Sequence, residues 1–432
     1  MCGTKSQHRR LAELILRENP KIREALQTTY GFLFLDEFQD TTNVQYDLTT
    51  TAFRGSSCAL TAVGDPKQRI MVWAGALDGI FKRFKDDFAA ESRSVVMNYR
   101  SAPQLVAMQQ FLIAGLDSSA PKPVAFHTDA KGVGSSIIFM YETVDSEAEH
   151  LAEQIRGTLT DERLAPRDIC ILTRNWNDTY SGLITQKLAK LGIKARLEKT
   201  LQDLISEPVV LVQLSLLKLA LSERDANAWD SIIETLSSVE SGPEKKERHL
   251  EMRLAAFVRK LRGFLGGCSV TIDSITKVLT GLITFFGIDR LKSSFPQYAQ
   301  GSFLEDLQKQ LATELEARLS RGSTWLDAVL DIEGRDSVPI MTVHKSKGLE
   351  YHTVIFVGLE DSAFWAFDRD PAEEKCAFFV VFSRAITRVI FTYCMTRPKK
   401  FGEGALPQSK QSIGVFYELL ASAGVQTERI DS

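Results

Sequence analysis

The sequence predicts an α/β fold, with parallel sheets, helices between the strands, and a helical insertion late in the chain. Three observations predict it. Short β-rich runs alternate with helical patterns over residues 32–97, the alternation restarts over 137–197 and resumes over 339–393, and strand signals almost vanish between about 221 and 337. Strand–helix–strand alternation is the signature of βαβ units on a parallel sheet. The chain therefore divides into 1–101, 102–220, an insertion over 221–337, and 338–432.

In order, the first block reads as strand FLFLD from Phe32, a helix near 43–53, strand ALTAV from Ala59, a helix near 77–84 and strand SVVM from Ser94. Ahead of it, Pro20 opens a short helix, because the first helical position has an amide with no partner to lose. The second block has strands near 137–141, 169–173 and 195–197, with helices near 147–158 and 181–191. Its sheet resumes near 339–342, 353–357 and 389–393. Within the insertion, Leu250, Leu254, Phe257, Val258 and Leu261 recur at helical spacing.

At roughly 100 to 200 residues per domain, 432 residues make two or three cores. Hydrophobic residues at 44% and charged residues at 25% are ordinary globular values, which exclude a fibrous or disordered chain. The longest apolar stretch, 209–221, is interrupted by Gln213, Ser215 and Lys218 and falls short of the ~18 residues a membrane span needs, so no membrane partner is expected. MCGTKSQHRR lacks the apolar region of a secretory signal, and the cytoplasm is the expected location. Six scattered cysteines without a C-x-x-C pair are expected to be reduced thiols. The formal charge of -3 decides nothing about polyanion binding, which depends on where the basic groups sit.

Five strings carry chemistry. Asp36, Glu37, Phe38, Gln39 and Asp40 follow an apolar strand, and the carboxyl ends of parallel strands are where open α/β sheets bind ligands. There one carboxylate can hold Mg²⁺ through water and a second can orient a water attacking a phosphate, although a lone D-E pair is equally an ordinary solvated turn. Gly64, Asp65, Pro66, Lys67 and Gln68 follow ALTAV and lead to Trp73, which offers a stacking face for a base or, taken alone, a core side chain. Asn98, Tyr99, Arg100 and Ser101 supply an arginine for a phosphate and a tyrosine for a purine. The last two are MTVHKSKGLEYHTVIFVG from Met341 and FFVVFSRAITRVIFTY from Phe378.

In this order the five strings closely resemble motifs II to VI of the UvrD/Rep/PcrA family of superfamily 1 DNA helicases. The resemblance implies two RecA-like domains, the first incomplete here, with the helical insertion in the second. It implies ATP-dependent 3′-to-5′ movement on single-stranded DNA and at single-strand/duplex junctions, with ATP and Mg²⁺. Carried over by motif, Asp36 coordinates Mg²⁺ through water, Glu37 is the base for the attacking water, Gln68 senses the γ-phosphate, and Arg100 and Arg384 are arginine fingers. Tyr99 stacks on adenine, Gly348 and Glu350 lie at the nucleotide, Trp73 stacks on a DNA base, and Thr342 and His344 touch the DNA backbone. Arg174 aligns with a weaker motif, and Trp176 has no counterpart. The chain departs from the family at Met71 and Ala74 around Trp73, and at Lys375, Cys376 and Phe379 ahead of Arg384.

The larger departure is that no G-x-x-x-x-G-K-[ST] occurs in the 432 residues. That loop supplies the backbone amides and lysine that cradle a triphosphate. The expectation is a C-terminal portion of such a helicase, beginning just before motif II, with β-strand 32–35 short of a neighbour. A partner polypeptide supplying the loop, or a partner nuclease, accords with this. The alternative is a non-catalytic DNA-binding or assembly subunit. Within the insertion, residues 244–262 hold seven basic and three acidic side chains, a basic helix face that is either merely solvated or, through Arg253, Arg259 and Arg262, in contact with duplex.

Overall fold

The computed structural model describes residues 5–117, 120–126, 134–175, 177–198, 201–222, 225–239, 247–267, 270–399 and 404–431. Trp176, Lys245, Lys246, Cys2 and Cys268 lie outside them. The chain forms two compact units: residues 1–164, 168–192 and 340–432 make the first, and 165–167 with 193–339 the second.

The first unit opens with helices Lys5–Glu18 and Pro20–Thr29, then a parallel pair, β1 (Phe32–Leu35) and β2 (Ala59–Ala62), joined through helix Asn43–Phe53. That helix starts where expected because Thr42 and Gln45 form a reciprocal capping box. Leu35 and Leu60 pack on Phe38, Tyr46, Ile80 and Phe84, while Phe32 and Phe34 on the opposite face are 73% exposed. Among the described residues β1 pairs only with β2.

The strand expected from Ser94 is shorter than its composition suggests. Among the described residues only Met97–Asn98 (β3) pairs, with the two-residue β4 (Val124–Ala125), and Val95 is exposed. The helix expected near 77–84 instead runs Ile80–Phe88, because Gly79 adopts a left-handed backbone (φ 61°) that ends the preceding turn.

The remaining strands are β5 (Ser135–Tyr141), β6 (Ile169–Thr173), β7 (Lys194–Leu197), β8 (Ser337–Thr342), β9 (Tyr351–Val357), β10 (Ala385–Cys394), a hairpin of β11 (Thr396–Pro398) and β12 (Ala405–Pro407), and β13 (Gln426–Arg429). Seven form one sheet in the order β13-β5-β10-β9-β6-β8-β7. The pairings from β13 through β8 are all parallel. Strand β6 is fully buried, as its unbroken apolar run requires of a central parallel strand. A two-way clamp locks β11 to helix Val144–Asp161 and to the segment after β9: Arg397 bonds the buried carboxylates of Glu147 (2.7 and 2.8 Å) and Glu360 (2.5 Å). Gly358 (φ 89°) lies against Tyr180, where a side chain would overlap the ring.

The second unit is helical between β7 and β8. Helix Pro208–Leu221, apolar on almost every face, runs through its core against Leu254, Leu279, Leu282 and Leu311. The one buried amide on it, Gln213, is satisfied by Leu279 O and by Gln308. Arg262, read from sequence as part of a basic outer face, is exposed and also donates to the carbonyls of Leu219, Ala220 and Ser222 at the end of that helix. Arg253 lies over the Phe285 ring and is half-buried, whereas Arg248, Arg259, Lys260 and Arg262 are exposed.

Cys58, Cys170, Cys376 and Cys394 are free thiols. Among the described residues no helix is long and apolar enough to cross a membrane. Because Arg262 closes a helix end, Arg262→Ala should cost about 1 kcal/mol in urea unfolding with no nucleic acid present, whereas Arg259→Ala should leave the midpoint unchanged.

Candidate active site

The site grows from the tips of β1 and β2. Val63 N donates to Leu35 O and Phe38 N to Val63 O, which ties the two strand ends and throws Asp36 and Glu37 outward. Glu37 holds a left-handed backbone (φ 48°), an uncommon conformation for a non-glycine residue. Its amide donates to Asp36 Oδ1 at 2.8 Å. Gln39 sits buried beneath, donating to Glu37 Oε2 (2.5 Å) and accepting from Asp65 N (3.0 Å). Gly64 is obligatory there, because a Cβ would overlap the Gln39 amide oxygen.

Opposite these tips, the connection from β8 to β9 delivers five contacts from four of seven residues. His344 Nε2 donates to Ile70 O at 3.0 Å, Lys347 Nζ pairs with Glu37 Oε2 at 3.0 Å and with Asp40, Leu349 O accepts from Arg384, and Glu350 Oε2 accepts from Arg100 Nε at 2.7 Å. Burial alone would raise the Glu37 carboxyl, but the hydrogen bonds from Lys347 and Gln39 outweigh it and hold it below its usual range. Asp40 goes the other way, raised by burial, and its Oδ1 has no partner. Gly348 takes φ 81° in this turn.

Arg384, at the end of helix Pro371–Ser383, is 2% exposed. It donates to Gln68 Oε1 (2.8 Å), Leu349 O (3.3 Å) and Ser383 Oγ (2.9 Å), all neutral acceptors. No carboxylate pairs with it among the described residues. Burial, then the neighbouring charge of Arg100, lowers its pKa to about 10. Gln68 also donates to Asp65 Oδ2 at 3.2 Å. Arg100 Nη1 donates to Ser383 O at 2.9 Å, so both guanidiniums converge on one serine. Tyr99, the residue before, is 60% exposed.

On the adjoining edge Trp73 is 71% exposed, its ring edge-on to His344 at 6.4 Å. Because His344 Nε2 donates to Ile70 O, its Nδ1 accepts from Arg174 Nη1 (3.4 Å), and both ring nitrogens are occupied. Arg174 in turn holds buried Glu374 through two parallel bonds of 2.7 and 2.9 Å. Thr342 ends β8 beside them and accepts, through its carbonyl, from the amides of Lys345 and Ser346.

All eleven residues singled out in the sequence thus fall in the first unit, eight of them at the β1–β2 tips, the 342–350 connection, or the helix end that carries Arg384, while Tyr99 and Arg100 follow β3 and reach the cluster through Glu350 and Ser383. Trp73 joins them through His344. Lys347 and the Arg174–Glu374 pair belong to the same cluster. Lys347 was visible only as part of the HKSKGLE string, and nothing local marks it as the partner of Glu37.

With this geometry in view, residues 7–89 match the family model described as UvrD/REP helicase N-terminal domain, and residues 94–261 and 295–396 match the UvrD-like helicase C-terminal domain. The chain is 25% identical to the ATP-dependent DNA helicase Rep of Buchnera aphidicola over 89% of its length and 66% of that protein's. It is 24% identical to DNA helicase II of Escherichia coli over 93% of its length and 62% of that protein's. It therefore spans less than two thirds of these relatives.

Burial and the Arg174 charge lower the His344 pKa to about 4, below the ordinary 6.5. The unfolded chain then binds more protons between those values, so stability falls as pH drops from 6.5 towards 4. Urea midpoints at pH 7 and pH 5 should show a smaller drop for His344→Gln than for the parent protein.

Proposed function

We propose, from the premise that this chain belongs to the UvrD-like helicase family, that its strand-tip cluster is an ATP site whose hydrolysis drives 3′-to-5′ movement on single-stranded DNA. The observation that carries this reading is Arg384: a buried guanidinium with only neutral partners is a cation awaiting an anion. The γ-phosphate supplies that anion. Arg100 adds a second positive charge, and Gln68, bonded to Arg384, reports whether the phosphate is present.

Asp36 keeps Oδ2 for a hydrated Mg²⁺, a hard cation suited to carboxylate, phosphate and water oxygens. When bound, Mg²⁺ would neutralise charge on the phosphates. Lys347 and Gln39 both engage Oε2 of Glu37, and Oε1 is the oxygen left to take a proton from the attacking water. Tyr99 receives the adenine, with Gly348 and Glu350 beside the nucleotide. Trp73 stacks on a DNA base without sequence preference, and Thr342 and His344 touch its backbone.

The phosphate loop is not among the 432 residues, so in this reading a segment carrying it completes the cradle. The same observation favours the second reading, a non-catalytic DNA-binding or assembly subunit. ATP hydrolysis separates the two. The chain alone should show background turnover, and a polypeptide carrying the family's phosphate loop should restore turnover stimulated by single-stranded DNA. Glu37→Gln should then remove it by about 100-fold or more. Failure of any loop-bearing polypeptide to restore turnover, with DNA binding intact, would favour the subunit.

A further inference from the structure

The β3–β4 pair has no role in the cluster described so far, yet it fixes the surroundings of Tyr99. The two strands are parallel, with Met97 opposite Val124 and Asn98 opposite Ala125. Phe126 N donates to Asn98 O at 3.0 Å, which carries the register one step further and sets Phe126 beside Tyr99. The two rings lie 4.4 Å apart with 37° between their planes. Both stay well exposed, Phe126 at 49%.

Immediately after Tyr99 the chain turns sharply, because Asn98 Oδ1 accepts from the amides of Arg100 and Ser101, each at 2.9 Å. That turn sends Arg100 back to Glu350 and Ser383. The chain thus runs from an exposed aromatic pair to the Arg100 guanidinium in a single residue, and Arg100 meets buried Arg384 at Ser383. A flat apolar face joined to a concentrated positive charge is complementary to a purine nucleotide, base at one end and phosphates at the other.

We propose that Phe126 is a positioning residue for base recognition: it supports one face of Tyr99 so that the other is presented to the purine. The inference rests on the nucleotide-site reading above. An unsupported exposed tyrosine samples several rotamers, and ordering it on the ligand costs affinity. With Phe126 packed against it, the ring is ordered before the base arrives. The support matters only for ligands that carry a base.

The test compares ATP with inorganic tripolyphosphate, both with Mg²⁺, by ³¹P line broadening on the full chain. Phe126→Ala should weaken ATP by roughly three- to tenfold and leave tripolyphosphate within twofold. Phe126→Tyr should restore the parent ratio, which a merely structural role would not require. Equal loss of both ligands, or no loss of ATP, overturns the inference while leaving the phosphate site standing. The comparison is made with the loop-bearing polypeptide present, and binding of neither ligand by the parent chain there overturns the inference together with the reading beneath it. Should Phe126→Ala fail to fold, Phe126→Leu keeps the bulk without the aromatic face and should still lower the ATP-to-tripolyphosphate ratio.

Discussion

A buried guanidinium that hydrogen-bonds no carboxylate, with Glu37, Asp65 and Glu350 acting on it only at longer range, is the constraint around which this site is arranged. Taking a charge out of water costs several kcal/mol unless a counter-charge or a full set of hydrogen bonds compensates. Arg384 receives only amide, carbonyl and hydroxyl oxygens, from Gln68, Leu349 and Ser383. Two of those acceptors come from separate parts of the chain, one from beyond β2 and one from the connection between β8 and β9. The need to satisfy Arg384 therefore fixes how these segments face one another. Buried Arg397, by contrast, is paired with Glu147 and Glu360 and is finished as a structural element.

The β8–β9 connection is the second organising feature. Within seven residues it meets Ile70, Glu37, Asp40, Arg384 and Arg100. The segment bearing Trp73 and the segment bearing Glu37 are thus tied to one short loop. Any ligand that shifts His344 or Trp73 moves a backbone that also sets Lys347, and Lys347 sets the orientation of the Glu37 carboxylate. A route of three hydrogen-bonded residues, His344, Lys347 and Glu37, joins the proposed DNA edge to the carboxylate proposed to activate water.

Much of this was legible in the sequence, for identifiable reasons. Strand 169–173 was read to the residue because a fully buried parallel strand must be continuously apolar, and helix 43–53 because its capping box is local. The segment 94–97 was over-read: its β-branched residues favour a strand, but pairing needs a neighbour, and β4 offers only two residues. Edge strand β13 and the β11–β12 hairpin carried no pattern strong enough to see. At the site, ordered strings identified the candidate residues, whereas the partnership of Lys347 with Glu37, of Arg174 with Glu374 and of Phe126 with Tyr99 depends on residues 27 to 310 positions apart being brought together. The carbonyl partners of exposed Arg262 were hidden for the same reason, since they are the end of a helix some forty residues earlier.

The most direct test of the central claim is thermal unfolding of the parent chain and of Arg384→Gln, each with and without inorganic triphosphate and Mg²⁺. If Arg384 is a cation without a directly bonded counter-ion, kept for an anion, the parent midpoint rises with triphosphate. The variant, relieved of the buried charge, unfolds no lower than the parent without it and does not respond to its addition. A variant that unfolds well below the parent yet keeps the full triphosphate response would contradict the account, because the guanidinium would then be a structural strut and the anion would bind elsewhere.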